Sequence, residues 1–195
     1  MANINAPFGF AHTGGSGSVP SMGNTTVQLP YNAGAIYYGD PVTPTAAGYV
    51  AQSAPSDTVI AGIFVGCKYL SVASKRTVWS RYWPGSDVAS GNIVEAYLIT
   101  DPNARFLVQC DSTGLTQAAV NANVSFVIGS GNTSTGNSGA YLDTSTLNTT
   151  ATLPFRVISM YDFPPGAPGT LSNGAAYNWA YVGFNSVATK SLTGV

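Results

Sequence analysis

The chain has 195 residues, with seven Lys or Arg, eight Asp or Glu, one His and a formal net charge of −1. Its charged fraction is 8%, against about a quarter in an ordinary soluble domain. So few cations exclude the clustered Lys/Arg that nucleic acid or an anionic membrane surface requires, and a single glutamate, Glu95, leaves little for acid–base chemistry.

The opening MANINAPFGFAH has neither the basic nor the apolar run of a signal peptide, so synthesis in a cytoplasm is expected. Residues 1–25 are small and aperiodic, and cannot build a core alone. They read as a flexible arm whose Phe8 and Phe10 dock elsewhere, with His12 lacking fixed neighbours.

Residues 26–195 read as one β-rich domain, of a size that needs no covalent staple. Runs rich in Val, Ile, Tyr, Phe and Trp, bounded by Gly, Pro, Asn and Asp, are the signature of strands. They fall at 26–29, 35–42, 48–52, 58–72, 76–83, 92–100, 105–110, 124–129, 155–163 and 177–184. In 92–100, Ile93, Glu95, Tyr97 and Ile99 share one face and Val94, Ala96 and Leu98 the other. In 76–83, Val78, Ser80 and Tyr82 oppose Thr77, Trp79, Arg81 and Trp83. Asp101-Pro102-Asn103-Ala104 is a type I turn signature, expected to close a hairpin between 92–100 and 105–110. Thr116–Asn123 is the one helix candidate, with Thr116 as its cap. Residues 129–150 read as a long loop broken by one short strand, and 164–176 as a Pro/Gly loop. The fold class expected is all-β: an antiparallel sandwich or barrel-like domain with an extended N-terminal arm and long Ser/Thr/Asn/Gly-rich loops.

The search for chemistry returns little. A nucleophilic triad needs a positioned His, and His12 lies in the arm. Zinc needs three or four Cys, His or carboxylate ligands, which one His and two strand-embedded thiols do not supply. Cys67 and Cys110 read as reduced core cysteines. Asp111 and Asp143 lack calcium-loop spacing. Glu95, Asp87 and Asp101 show no pairing of the kind glycoside hydrolysis uses, and Glu95 reads as a surface charge paired with Lys or Arg. GSGNTSTGNSG lacks the Gly-Lys-Ser/Thr ending of a phosphate loop. The sequons at Asn24, Asn123, Asn132 and Asn148 follow from composition. No catalytic, cofactor or metal site is therefore expected. The richest cluster is Trp79-Ser80-Arg81-Tyr82-Trp83-Pro84-Gly85, which fits a core strand entering a turn, a subunit contact or a stacking platform for a ligand.

Four segments carry a resemblance, in order along the chain: MANINAPFGF, VIAGIFVGCKYL followed by VWSRYWPGSD, AYLITDPNARFLVQ and TATLPFRVISM. Together they resemble the capsid decoration (cement) proteins of tailed phages, and the chain departs from that pattern after residue 160. The resemblance implies a virion structural protein on the outer capsid surface, without enzymatic activity or cofactor. It would be made in the host cytoplasm and bound to the major capsid protein as a homo-oligomer such as a trimer, with no nucleic acid or membrane as partner. The contact residues expected are Phe8, Phe10, Trp79, Arg81, Tyr82 and Trp83. A carbohydrate- or receptor-binding β domain of a phage fibre or tail is the alternative reading.

Overall fold

The structure, a computed structural model, describes residues 3–15, 24–161 and 174–191. Most strands form where the apolar runs predict them, although β1 falls in the expected arm and the run 35–42 gives only bridges at Ile36 and Tyr38 before β3. They are β1 (Ala11–Gly14), β2 (Asn24–Pro30), β3 (Pro41–Pro44), β4 (Val50–Gln52), β5 (Gly62–Leu70) and β6 (Thr77–Ser80). The second half supplies β7 (Ile93–Ile99), β8 (Arg105–Gln109), β9 (Asn123–Val127), β10 (Tyr141–Asn148), β11 (Phe155–Met160) and β12 (Trp179–Phe184). The first sheet runs β1-β8-β12-β11-β9-β10; the second runs β2-β7-β5-β3-β4, with β6 also paired to β5. The two antiparallel sheets form a β-sandwich.

Two core clusters form, the first joining first-sheet residues to Ile63 and Ile99 of the second sheet and the second lying within the second sheet. A bridge from Cys110 to Leu142 brings the end of β8 to β10, and β2 approaches β4. The first core holds Phe106, Phe126, Phe155, Val157 and Val182; the second holds Leu29, Phe64, Trp83, Val94 and Leu98. Strand β5 serves both. Its bulge between Phe64 and Gly66 shifts the register against β7, so that Ile63 faces the first core while Phe64, Cys67 and Tyr69 face the second. A strand covered on both sides reads as a near-continuous apolar run, as GIFVGCKYL does. Strand β7 keeps the alternation read from the sequence, with Val94, Ala96 and Leu98 fully buried.

Two sequence expectations are corrected here, and a third is met. The Asp101–Ala104 turn forms, its Ala104 N–H donating to the Asp101 carbonyl at 2.9 Å and the Asn103 N–H to Asp101 Oδ1 at 2.9 Å. It closes no hairpin, because both edges of β7 are taken by β2 and β5. The chain crosses to the other sheet instead, where β8 pairs with β1 and β12. The helix candidate reduces to a single 3-10 turn, Gln117–Ala119, whose Thr116 makes no side-chain cap; Asn121 then takes a left-handed φ of 73°. The one strand expected within 129–150 is present as β10, eight residues long, along β9.

The N-terminal segment is the largest correction. Over residues 3–15 the expected free arm packs on the domain itself. Phe10 is 1% exposed, stacked on Phe155 with centroids 4.4 Å apart and edge-on to Phe106 and Phe126. Phe8 meets Trp179 edge-on at 5.0 Å, and His12 lies in β1 with its ring 5.8 Å from Phe106. Gln109 fastens the lead-in, accepting from the Ala6 N–H and donating to the Ile4 carbonyl. The segment lacks periodicity because it contributes one plugging ring rather than an alternating face. Residues 16–23 of the expected arm and most of the 164–176 loop lie outside the described residues.

The sheets are knitted where residues 9–10, 37–40 and 138 meet. The Phe10 N–H donates to the Gly39 carbonyl at 2.9 Å, and the Gly39 N–H to the Phe64 carbonyl at 2.8 Å. Both Gly9 (φ +76°) and Gly39 (φ +91°) are left-handed; a Cβ on Gly9 would lie 2.7 Å from the Ser138 Cβ. Beside them Asp40, 1% exposed, accepts from the Ser138 hydroxyl, the Tyr37 N–H (2.8 Å) and Gln52 Nε2 (2.7 Å). The thiols are free and buried, Cys67 in the second core and Cys110 in the first. Burial pushes the Cys67 thiol up to about 12 and raises Cys110 as well.

Phe10→Ala is expected to lower the unfolding free energy of the isolated protein by about 3–5 kcal/mol, as core Phe truncations do, read by denaturant titration. A residue docked only on a neighbour would leave that titration unchanged. Burial, opposed by the bonds from Ser138, Tyr37 and Gln52, raises the Asp40 carboxyl above its ordinary value of 3.8. Its contribution to stability is thus greatest below that value and falls as pH rises through the folded-state value. Thermal melts across acid pH should show this decline reduced in Asp40→Asn relative to the parent. A parallel offset between the two curves would refute it.

Candidate interaction surface

Strands β2, β7, β5 and β6 present one outer face of the second sheet, and pairing register sets its layout. Gln28 lies opposite Glu95, Glu95 opposite Lys68, and Lys68 opposite Trp79. Lys68 Nζ sits 3.1 Å from Glu95 Oε2, and the Tyr97 hydroxyl donates to Glu95 Oε1 at 3.0 Å. The hydrogen bond to Glu95 lifts the Lys68 ammonium above its ordinary value, while the same bond, then that from Tyr97, holds Glu95 below its own. The pairing read from the sequence for Glu95 is therefore present. It contributes little to stability because the pair is open to water; what it does is neutralise the one glutamate on this face.

Around that pair the face is apolar. Trp79 is 68% exposed, Leu70 53% and Ile93 46%. Leu70 and Ile93 lie two residues beyond Lys68 and Glu95 along their strands, on the same side of the sheet. Such large apolar groups gathered on one surface mark an interaction site more often than chance exposure does.

Beside Trp79 runs a shallow groove of about 530 Å³ lined by Tyr38, Gly66, Trp79, Arg81 and Tyr97. The Arg81 guanidinium carbon stands 4.0 Å above the Tyr38 ring, a cation–π arrangement that holds the charge in place over an aromatic face. Tyr82 stacks flat on Tyr37, with centroids 5.3 Å apart and planes 4° from parallel. Gly131 lies so close to Tyr37 that a Cβ there would be 2.2 Å from the ring, and Gly136 faces Arg81 and Tyr82. The 131–136 loop therefore braces the aromatics from behind, which only residues without side chains permit.

Of the six contact residues expected from sequence, the structure brings Trp79, Arg81 and Tyr82 together here. Trp83 is corrected: it is fully buried, donates Nε1–H to the Ala33 carbonyl at 3.1 Å and meets Tyr69 edge-on. The alternation fails because Ser80 Oγ accepts the Tyr82 N–H and donates to the Tyr82 carbonyl, bending the chain after β6. Phe8 and Phe10 belong to the first sheet, where Phe10 is core and Phe8 is half-buried. The face also uses residues not singled out as contacts: Tyr38, Lys68, Leu70, Ile93 and Tyr97. The outward side of β7 was legible from its alternation, whereas nothing near Tyr38 in sequence marks it as the seat for Arg81.

The remaining acids have structural partners. Asp87 accepts the Ala73 N–H, and Asp111 holds Thr144 through its N–H and hydroxyl. Among the described residues no group of His, Cys, Asp and Glu is placed to hold a metal ion, and no helix is long and apolar enough to cross a membrane. The chain matches no family model, curated protein or solved structure.

Two substitutions separate surface from core. Trp79→Ala should change the unfolding free energy by no more than about 0.5 kcal/mol, as at other exposed sites, whereas Trp83→Ala should cost about 3–5 kcal/mol. Equal costs in parallel melts would overturn the assignment.

Proposed function

We propose that the protein is a virion structural protein that binds the outside of a phage capsid and stabilises it, with the major capsid protein and its own copies as partners. The observation that carries this reading is the outer face of the second sheet, where Trp79, Leu70 and Ile93 surround a neutralised ion pair. A protein working alone gains nothing from leaving a tryptophan two-thirds in water; a protein seated on another buries it. Covering a large side chain contributes about 1.5–3 kcal/mol, and tryptophan with arginine nearby is the composition of interface anchors. The low charge supports the same reading, since apposed surfaces then carry few ions to strip of water. The segments resembling cement proteins supply the capsid as the surface in question. Repeated contacts over a shell make individually modest ones effective together.

A second reading rests on the groove beside Trp79, whose Tyr38–Arg81 stack and Tyr97 could hold a sugar ring. It corresponds to a receptor- or carbohydrate-binding domain of a fibre or tail.

Undecorated capsids mixed with the protein and pelleted should carry the parent chain at high copy number and lose most of it with Trp79→Ala. Undiminished occupancy by that variant would sink the role given to this face. Saturable binding on a glycan array, abolished by the same substitution, would move the assignment to the second reading.

A further inference from the structure

The outer face of the first sheet carries a different kind of surface. Register places Arg105 of β8 opposite Gly183 of β12, and Gly183 opposite Arg156 of β11. Directly paired residues project to the same side of a sheet, so the two arginines rise on either side of a position without a side chain. The result is a trough of about 770 Å³, lined also by Thr13, Ile158, Tyr181 and Phe184. An adjoining hollow of about 300 Å³ shares Pro102, Asn103 and Phe184 with it and adds Lys190. Three of the seven cations in the chain therefore gather at one place, and among the described residues no carboxylate lines either hollow.

No described carboxylate neutralises these charges. Among the described residues the only ion pair is Lys68–Glu95, in the other sheet. Arg156 donates Nε–H to Asn123 Oδ1 and Nη2–H to Asn185 Oδ1, both at 3.0 Å. Neutral amide oxygens fix the guanidinium's orientation while leaving its charge uncompensated, which lowers the ordering cost of binding an anion. Arg105 is exposed. At about 4.8 Å per strand, the backbones of β8 and β11 stand roughly 10 Å apart across β12, a span that a carboxylate can bridge from between two long side chains. One rim is formed by Thr13, Gly14 and Gly15 at the end of β1, and β1 pairs with β8 alone among the described strands.

We propose that this trough docks an extended, carboxylate-rich segment of a partner polypeptide, whose acidic side chains bridge Arg105 and Arg156. Three cations beside tyrosine, isoleucine and phenylalanine suit a peptide. They are too few to track a nucleic-acid backbone, where affinity grows with each phosphate neutralised. The inference does not require the partner to be a capsid protein.

The test uses the full chain and a fluorescent oligoglutamate peptide, followed by anisotropy at low salt. Saturable binding that weakens as salt is added is expected, with Kd rising roughly tenfold in Arg105→Gln, the scale of an interfacial charge contact. Arg105 makes no side-chain bond that holds the fold, so an unchanged melt in this variant keeps the result interpretable. Lys75→Gln, outside the trough, should leave the affinity alone. The proposal is overturned by an absence of saturable binding, by equal affinity in Arg105→Gln, or by an oligothymidylate of similar charge binding as tightly with the same Arg105 dependence.

Discussion

The tightest tie between the two sheets is the close approach of Gly9, Gly39 and Ser138 around the Asp40 carboxylate. Three donors from separate parts of the chain converge on one buried acid. A lone buried charge would be expensive, and one with three hydrogen bonds is tolerable. The glycines allow the backbones to touch, so that Phe10 N–H reaches Gly39 and Gly39 N–H reaches Phe64. The first core's plug and the second core's central strand are thereby tied through a single residue. This knot, with the Ile60–Val187 bridge, holds the two faces in their relation to one another.

The two outer faces solve different problems with the same scarcity of charge. On the second sheet the one glutamate is cancelled by Lys68, leaving an aromatic and aliphatic surface around Trp79. On the first sheet cations are gathered without a described acid among them. In a chain with 8% charged residues neither pattern is diluted by a background of ion pairs, so each face keeps a distinct chemical character. A scaffold of this sort can meet two unlike neighbours at once without either contact competing for the other's groups.

How much of this was legible follows from what each signal measures. Short Val/Ile/aromatic runs between turn residues located the strands, because that pattern reflects local propensity and burial. The Asp101–Ala104 turn was legible too, but not its destination: whether a reversing chain pairs with its predecessor depends on which edge is vacant, and β2 and β5 had filled both edges of β7. Trp83 turned inward because one serine hydroxyl bent the strand end, a detail that alternation overlooks. Phe10 gave no periodic signal at all. At the candidate surface, Trp79 and Arg81 stood out by composition and Glu95 by the face it shares, while Tyr38 and the Arg105–Gly183–Arg156 row were invisible. Their members are far apart in sequence and become neighbours only through register.

The ring of Phe10 seals a chamber whose walls include Phe106, Phe126 and Phe155. The stopper is thus far removed along the chain from every ring of its socket. Loop closure over so long a separation is slow, so the first core is sealed late in folding, and its unplugged aromatics are the surface that a partly folded chain must keep from its neighbours.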